Sequence, residues 1–189
     1  MSFLPAFDGI IYFITARESG VLVSGRFDTI NASPCKGIAG LRDNGTRDTA
    51  FEACSVDWKA INLLPLRDGR FLLGGNFSRV AGSLRDNLAR LDANGRLTPT
   101  FSPSTFGSVL ALAELADGNF LIAGEFMEVS GFLRAGFARL HANGSLDLDF
   151  DARLDGHVQT VVVQPDGRIL IGGDFTTVGE CRDKVLLAC

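Results

Sequence analysis

The sequence predicts an all-β protein, a β-propeller of four blades with a period of about 49 residues, and three observations predict it. A glycine-bearing motif occurs four times, as VLVSGRF (21–27), FLLGGNF (71–77), FLIAGEF (120–126) and ILIGGDF (169–175), with its shared glycine at 25, 75, 124 and 173. Turn dipeptides keep the same register. Ser19-Gly20, Asp68-Gly69, Asp117-Gly118 and Asp166-Gly167 precede the motif, and Asn44-Gly45, Asn94-Gly95 and Asn143-Gly144 follow it. A Phe closes each of the first three repeats, at 51, 101 and 150, and no stretch carries a helical period. Periods of about 20–50 residues mark solenoids, propellers and arrays, and four-stranded units at this spacing are propeller blades.

The elements are plainest in the third repeat, 106–150. VLALAEL is a short apolar run ended by Asp117-Gly118, and NFLIAGEF starts directly after that pair. Two apolar runs joined by Asp-Gly are a hairpin signal, because both turn positions tolerate positive φ. GFARLHA and SLDLDF form a second hairpin around Asn143-Gly144, and the alternation of SLDLDF suits a half-exposed outer strand. Each repeat is therefore expected to hold four strands, with blades at about 9–51, 58–101, 107–150 and 156–189. The last of these stops before its Asn-Gly turn. SFLPAF (2–7) aligns with RLTPTF (96–101), Pro5 over Pro99 and Phe7 over Phe101, and is expected to supply the missing strand. A ring closed in this way has no open sheet edge to invite aggregation. Two chains sharing a larger ring, and a fragment of a longer array, are the alternatives to a monomer.

Composition narrows the function classes. The chain has 189 residues, enough for one domain with a sizeable core, and it is 46% hydrophobic and 21% charged with 22 Gly and 15 Phe. A formal charge of −4 argues against nucleic-acid binding, which needs a basic face. No apolar run approaches the ~20 residues of a membrane span, and the N-terminal stretch lacks the basic start of a signal peptide. Cys35, Cys54, Cys181 and Cys189 allow three pairings and contain no CxxC, so no zinc site is expected. Cys35 and Cys181 occupy equivalent loops of the first and last repeats. A closed ring would bring them together; free thiols are the alternative.

QPDGRILIGGDF (164–175), LRDGRFLLGGNF (66–77), ARLDANGRLTPTF (89–101) and ARLHANGSLDLDF (138–150) resemble the delta-60 repeat, a β-propeller repeat of bacterial proteins with no assigned function. The first repeat departs from that pattern, with Ser24 for the first Gly and GLRDNG in place of an Arg-Leu pair. Kelch repeats share the Gly-Gly feature, but their Tyr and Trp signature is absent, since Tyr12 and Trp58 are the only such residues. The resemblance implies propeller architecture and an extracytoplasmic or cell-surface location. It implies no ligand and no reaction.

Candidate sites follow from propeller geometry. Tight turns occupy one face. Longer loops (28–37, 78–87, 127–136, 176–184) and blade crossings (52–58, 102–108, 151–157) occupy the other, as binding loops on a rigid scaffold do. The loop face holds Asn31, Arg79, Arg85, Asp86, Glu128, Arg134, Glu180 and Arg182. Phe13, Asn62, Ala111 and Thr160 align in one row of the innermost strands, and Asn62, His157 and Thr160 are the candidates for a small ligand at the axis. GGDF (172–175) is repeat punctuation and not a phosphate loop, because no helix opens behind it. DLDFDARLDG (147–156) fails as a calcium loop, with Ala152 where Gly and Val158 where Glu are needed. No GxSxG or HExxH occurs. The expectation is a non-catalytic binding or scaffold domain without cofactor or metal, recognising a protein or glycan through its loop face. Its competitors are a propeller enzyme or lectin with an axial ligand, and a truncated array with no separate function.

Overall fold

The computed structural model describes residues 5–17, 19–53, 55–179 and the backbone of 185–187. Every regular element in it is a strand. The first repeat contains β1 (Ile10–Arg17), β2 (Gly20–Arg26), the short pair β3 (Thr29–Ile30) and β4 (Ser33–Pro34), and β5 (Ile38–Leu41). The second repeats this order with β6 (Lys59–Pro65), β7 (Phe71–Asn76), β8 (Arg79–Val80), β9 (Ser83–Leu84) and β10 (Leu88–Leu91). The third has β11 (Thr105–Phe106), β12 (Val109–Glu114), β13 (Phe120–Gly124), β14 (Glu128–Val129), β15 (Phe132–Leu133) and β16 (Phe137–Leu140). The fourth has β17 (Val158–Val163), β18 (Ile169–Gly173) and β19 (Val185–Leu187). Three antiparallel meanders, β1-β2-β5, β6-β7-β10 and β12-β13-β16, form the first three units. In the fourth, β19 runs parallel to β18.

The repeated glycine has a steric cause. Each inner strand carries a register shift at the same place, between Ile11 and Phe13, Ala60 and Asn62, Val109 and Ala111, and Val158 and Thr160. Opposite that bulge stand Gly25, Gly75, Gly124 and Gly173, where a Cβ would lie 2.0–2.1 Å from the carbonyl oxygen of residue 10, 59, 108 or 157. Only glycine lets the two backbones approach this closely.

The expected fourth strand is reduced to single bridges, Leu41–Arg47, Leu91–Leu97 and Leu140–Leu146. The chain bends away at Asp48, Thr98 and Asp147 so that Phe51, Phe101 and Phe150 can enter the core, where each is at most 1% exposed. In the tight turns, Gly69, Gly118 and Gly167 take positive φ but the aspartates before them do not. Those aspartates instead accept the amide N–H two residues on, from Arg70, Asn119 and Arg168.

Alternation along the strands sends side chains to two seams. Leu73 joins a cluster with Leu22, Ile38 and Phe51 of the first repeat, whereas neighbouring Leu72 joins one with Leu112, Ile122 and Ala138 of the third. The second unit is thus covered on both faces by its neighbours, as stacked sheets require. Across two of these seams Arg90 and Arg139 lie over Phe101 and Phe150, with the guanidinium carbon 4.5 and 4.6 Å from the ring centre.

The first repeat lacks that arginine and has Gly40 instead. Arg17 fills the space from β1, lies 5.6 Å over Phe51 and binds Asp48. A Cβ on Gly40 would meet the Arg17 guanidinium at 2.8 Å. The missing Arg-Leu pair is therefore a compensated exchange between strands.

Phe7 bridges Ile30, and Ala6 and Asn31 exchange hydrogen bonds. Val56 with Val80 and Thr105 with Val129 make the same pairing in the next two repeats. Phe7 thus takes the place of a blade crossing and not that of the closing Phe101. Residues 1–4, which carry the remainder of the expected closing strand, lie outside the described residues. Cys35 is buried and disulfide-bonded, which overturns the free-thiol alternative for it; Cys54, Cys181 and Cys189 lie outside the described residues.

Candidate functional site

The loop face holds an open cleft of about 700 Å³ at the seam of the second and third repeats. Its lining includes Asp57, Trp58, Asn76, Asp86, Asn87, Phe106, Glu128 and Ser130. Trp58 and Phe106 are 60% and 76% exposed, unusual for large aromatic side chains.

Three of these residues break the repeat at positions whose structural task is visible elsewhere. The residue after each crossing is Asp8, Asp57, Phe106 and Asp155 in turn. The three aspartates clasp the turn after the second strand. Asp8 accepts the amides of Asp28 and Thr29, Asp57 those of Ser78 and Arg79, and Asp155 those of Thr176 and Thr177. These bonds hold all three carboxyls below the usual carboxylate range: for Asp8 chiefly the Thr29 amide, for Asp155 the Thr176 hydroxyl, and for Asp57 the Ser78 and Arg79 bonds outweighing an opposing burial effect. Phe106 gives up the clasp and presents a ring to solvent.

The next position reads Gly9, Trp58, Gly107 and Gly156. The third reads Gly37, Asn87 and Gly136, all with positive φ. Asn87 uses its side chain to join the seam, accepting the Phe77 amide at 2.9 Å and donating to the Thr105 carbonyl at 3.0 Å. Asn76 donates to the Ser108 hydroxyl at 3.1 Å across the same floor.

The family comparison agrees with this repeat. A family model described as a domain of unknown function (DUF5122) beta-propeller matches residues 66–101, 115–150 and 164–186, about half of the chain. The chain belongs to that family. This DUF5122 beta-propeller assignment is what the delta-60 resemblance implied, a propeller repeat of unknown function, and its matched segments are the motif-bearing parts of the last three repeats. No curated protein matches the chain. Trp58 and Phe106 both fall outside the segments matched by the DUF5122 model.

The residues expected on the loop face divide by task. Asn31 holds the N-terminal crossing, as above. Arg79 donates to the Gly82 carbonyl at 2.8 Å, within its own turn. Arg85 donates to Leu84 and Pro99 carbonyls, and buried Arg134 to the Leu133 carbonyl with Asp151 at 3.7 Å. These guanidinium groups brace loops. Asp86 and Glu128 of the named set line the cleft; Glu180 and Arg182 lie outside the described residues.

The inner row occupies one equivalent position directly after each bulge. Asn62 donates to the Leu110 carbonyl of the next repeat at 3.4 Å, Thr160 is exposed, and His157 Nδ1 is buried with no hydrogen-bond partner. Among the described residues no hydrogen bond joins the three, and none of them lines the cleft. Nor do any three His, Cys, Asp or Glu side chains among the described residues gather in a metal-binding group, and none of those residues forms a helix long and apolar enough to cross a membrane.

Trp58, Asn87 and Phe106 were not singled out from the sequence as binding residues. The signal was present: in a chain with four copies of one unit, departure from the copies at a structurally assigned position marks a residue kept for another purpose.

Proposed function

We propose that this is a non-catalytic binding domain, a β-propeller scaffold that recognises a protein or glycan through its loop face. One observation carries the reading. Three residues that forgo the repeat's structural solution, Trp58, Asn87 and Phe106, meet at a single cleft. Clefts with exposed aromatic groups and a few polar side chains are the usual form of a recognition site. The family's function is unassigned, so the site and not the fold supports this reading.

The test is a Trp58→Ala/Phe106→Ala double variant on arrays of immobilised peptides and oligosaccharides. Both side chains are exposed, so the variant's stability is expected to stay within about 0.5 kcal/mol of the parent's. Signals given by the parent should vanish in the variant. Signals that persist unchanged would remove the cleft from the proposal.

A further inference from the structure

We infer that the cleft takes a basic side chain, an arginine or lysine of a partner polypeptide; this rests on the reading of the cleft as the recognition site. Its charged lining consists of Asp57, Asp86 and Glu128, with no lysine or arginine among the lining residues. Asp57 is committed to the turn clasp, but among the described residues the side chains of Asp86 and Glu128 hold no hydrogen bond or ion pair. The smaller cleft at the preceding seam differs. It is lined by Arg26, Lys36, Asp28 and Asp57, with Lys36 placed 3.5 Å from Asp28, so its charge is balanced from within.

An uncompensated acidic cleft flanked by two exposed aromatic rings is complementary to a cation, which gains from the carboxylates and from ring faces together. A neutral saccharide would use the rings but leave the carboxylates unmatched. A second cleft continues from the first through Ser130 and is lined by Phe132, Leu146 and Leu148, of which Phe132 and Leu148 are largely exposed. A polypeptide can fill both, setting a basic residue in one and an apolar residue in the other. A small free cation cannot.

Fluorescence anisotropy with a labelled GLRGLRG peptide tests this, beside labelled GLEGLEG and labelled maltoheptaose. The arginine peptide should bind, more weakly as salt rises from about 0.05 to 0.3 M, and the glutamate peptide should not. Asp86→Asn/Glu128→Gln should weaken binding about tenfold or more. Asp43→Asn/Asp117→Asn, in tight turns at the far ends of the strands, makes the same charge change and should leave binding unaltered. Equal weakening by both pairs, or no binding of the arginine peptide, overturns the inference. Maltoheptaose bound through Trp58 and Phe106 without need of the carboxylates would overturn the ligand class and leave the cleft as the recognition site. A bound probe indifferent to Trp58→Ala/Phe106→Ala overturns both.

Discussion

At the scale of single residues, Phe106 stands where a clasping aspartate would stabilise the fold. Phe106→Asp should therefore raise stability by at most about 1 kcal/mol, since it adds a charged acceptor beside the Glu128 amide and a Met127 amide that already donates to the Phe106 main-chain carbonyl at 3.0 Å. The same change should abolish recognition by the cleft, since stability and function compete for that position. A rise in thermal midpoint together with loss of binding checks both halves; an unchanged midpoint would mean that the third repeat's turn needs no clasp. Acid titration reads a second set of carboxylates. Asp48 is held below its usual value first by the Arg17 hydrogen bond. For Asp147, burial pushes upward, but the Arg139 hydrogen bond and charge outweigh it. A depressed folded pKa stabilises the protein above the unfolded value of about 3.9 and ceases to do so as pH falls through the folded value. Asp48→Asn and Asp147→Asn should each lose about 1–2 kcal/mol at pH 7 and show a flatter decline of the urea midpoint below pH ~4. The clasping aspartates at 8, 57 and 155 recur in register in the sequence, yet their role was not legible there. Their partners lie about 20 residues away, and only the structure closes that distance.

At the scale of elements, strands, hairpins and repeat boundaries were legible because period-2 alternation and turn glycines are local signals. The shortened outer strand was not. SLDLDF alternates as a strand does, but insertion of Phe150 into the seam, a contact with distant residues, bends the chain after one bridge. The glycines separate two causes that sequence alone merges. At Gly124 an added Cβ would stand 2.0 Å from the Ser108 carbonyl, whereas at Gly118, with φ of 82°, nothing lies within 4 Å. Gly124→Ala should cost about 3 kcal/mol by forcing the bulge apart, and Gly118→Ala about 1 kcal/mol from backbone strain alone. Gly118→Asn should recover most of the latter, because asparagine tolerates the left-handed region. Urea midpoints of the three variants check the order; equal losses at Gly118 and Gly124 would show that the close approach at the bulge relaxes.

At the scale of the whole molecule, the repeat supplies its own measure of what is uncovered. Ile14, Leu63, Leu112 and Val161 are copies of one position, paired with Val23, Leu73, Ile122 and Ile171. The last three are at most 7% exposed because the preceding unit packs on them, but Ile14 is 59% exposed. The opposite face behaves in the same way at the other end. Leu64 and Ala113 pack against the following unit, while their copy Val162 is 53% exposed. The face bare at one end is thus the face that, at every internal seam, is covered by the kind of face bare at the other. Covering both calls for head-to-tail contact, a heterologous interface that closes when the rotation allows. Light scattering on this chain should accordingly show mass rising with concentration, and Ile14→Lys or Val162→Lys should each hold it at the monomer mass. Mixing the two variants should restore pairs, because one intact interface remains between them. A constant monomer mass, with Ile14→Lys lowering only the urea midpoint, would mean instead that the first and last units of a single chain meet in solution. The ring would then be four blades, and removing residues 1–8 should unfold it.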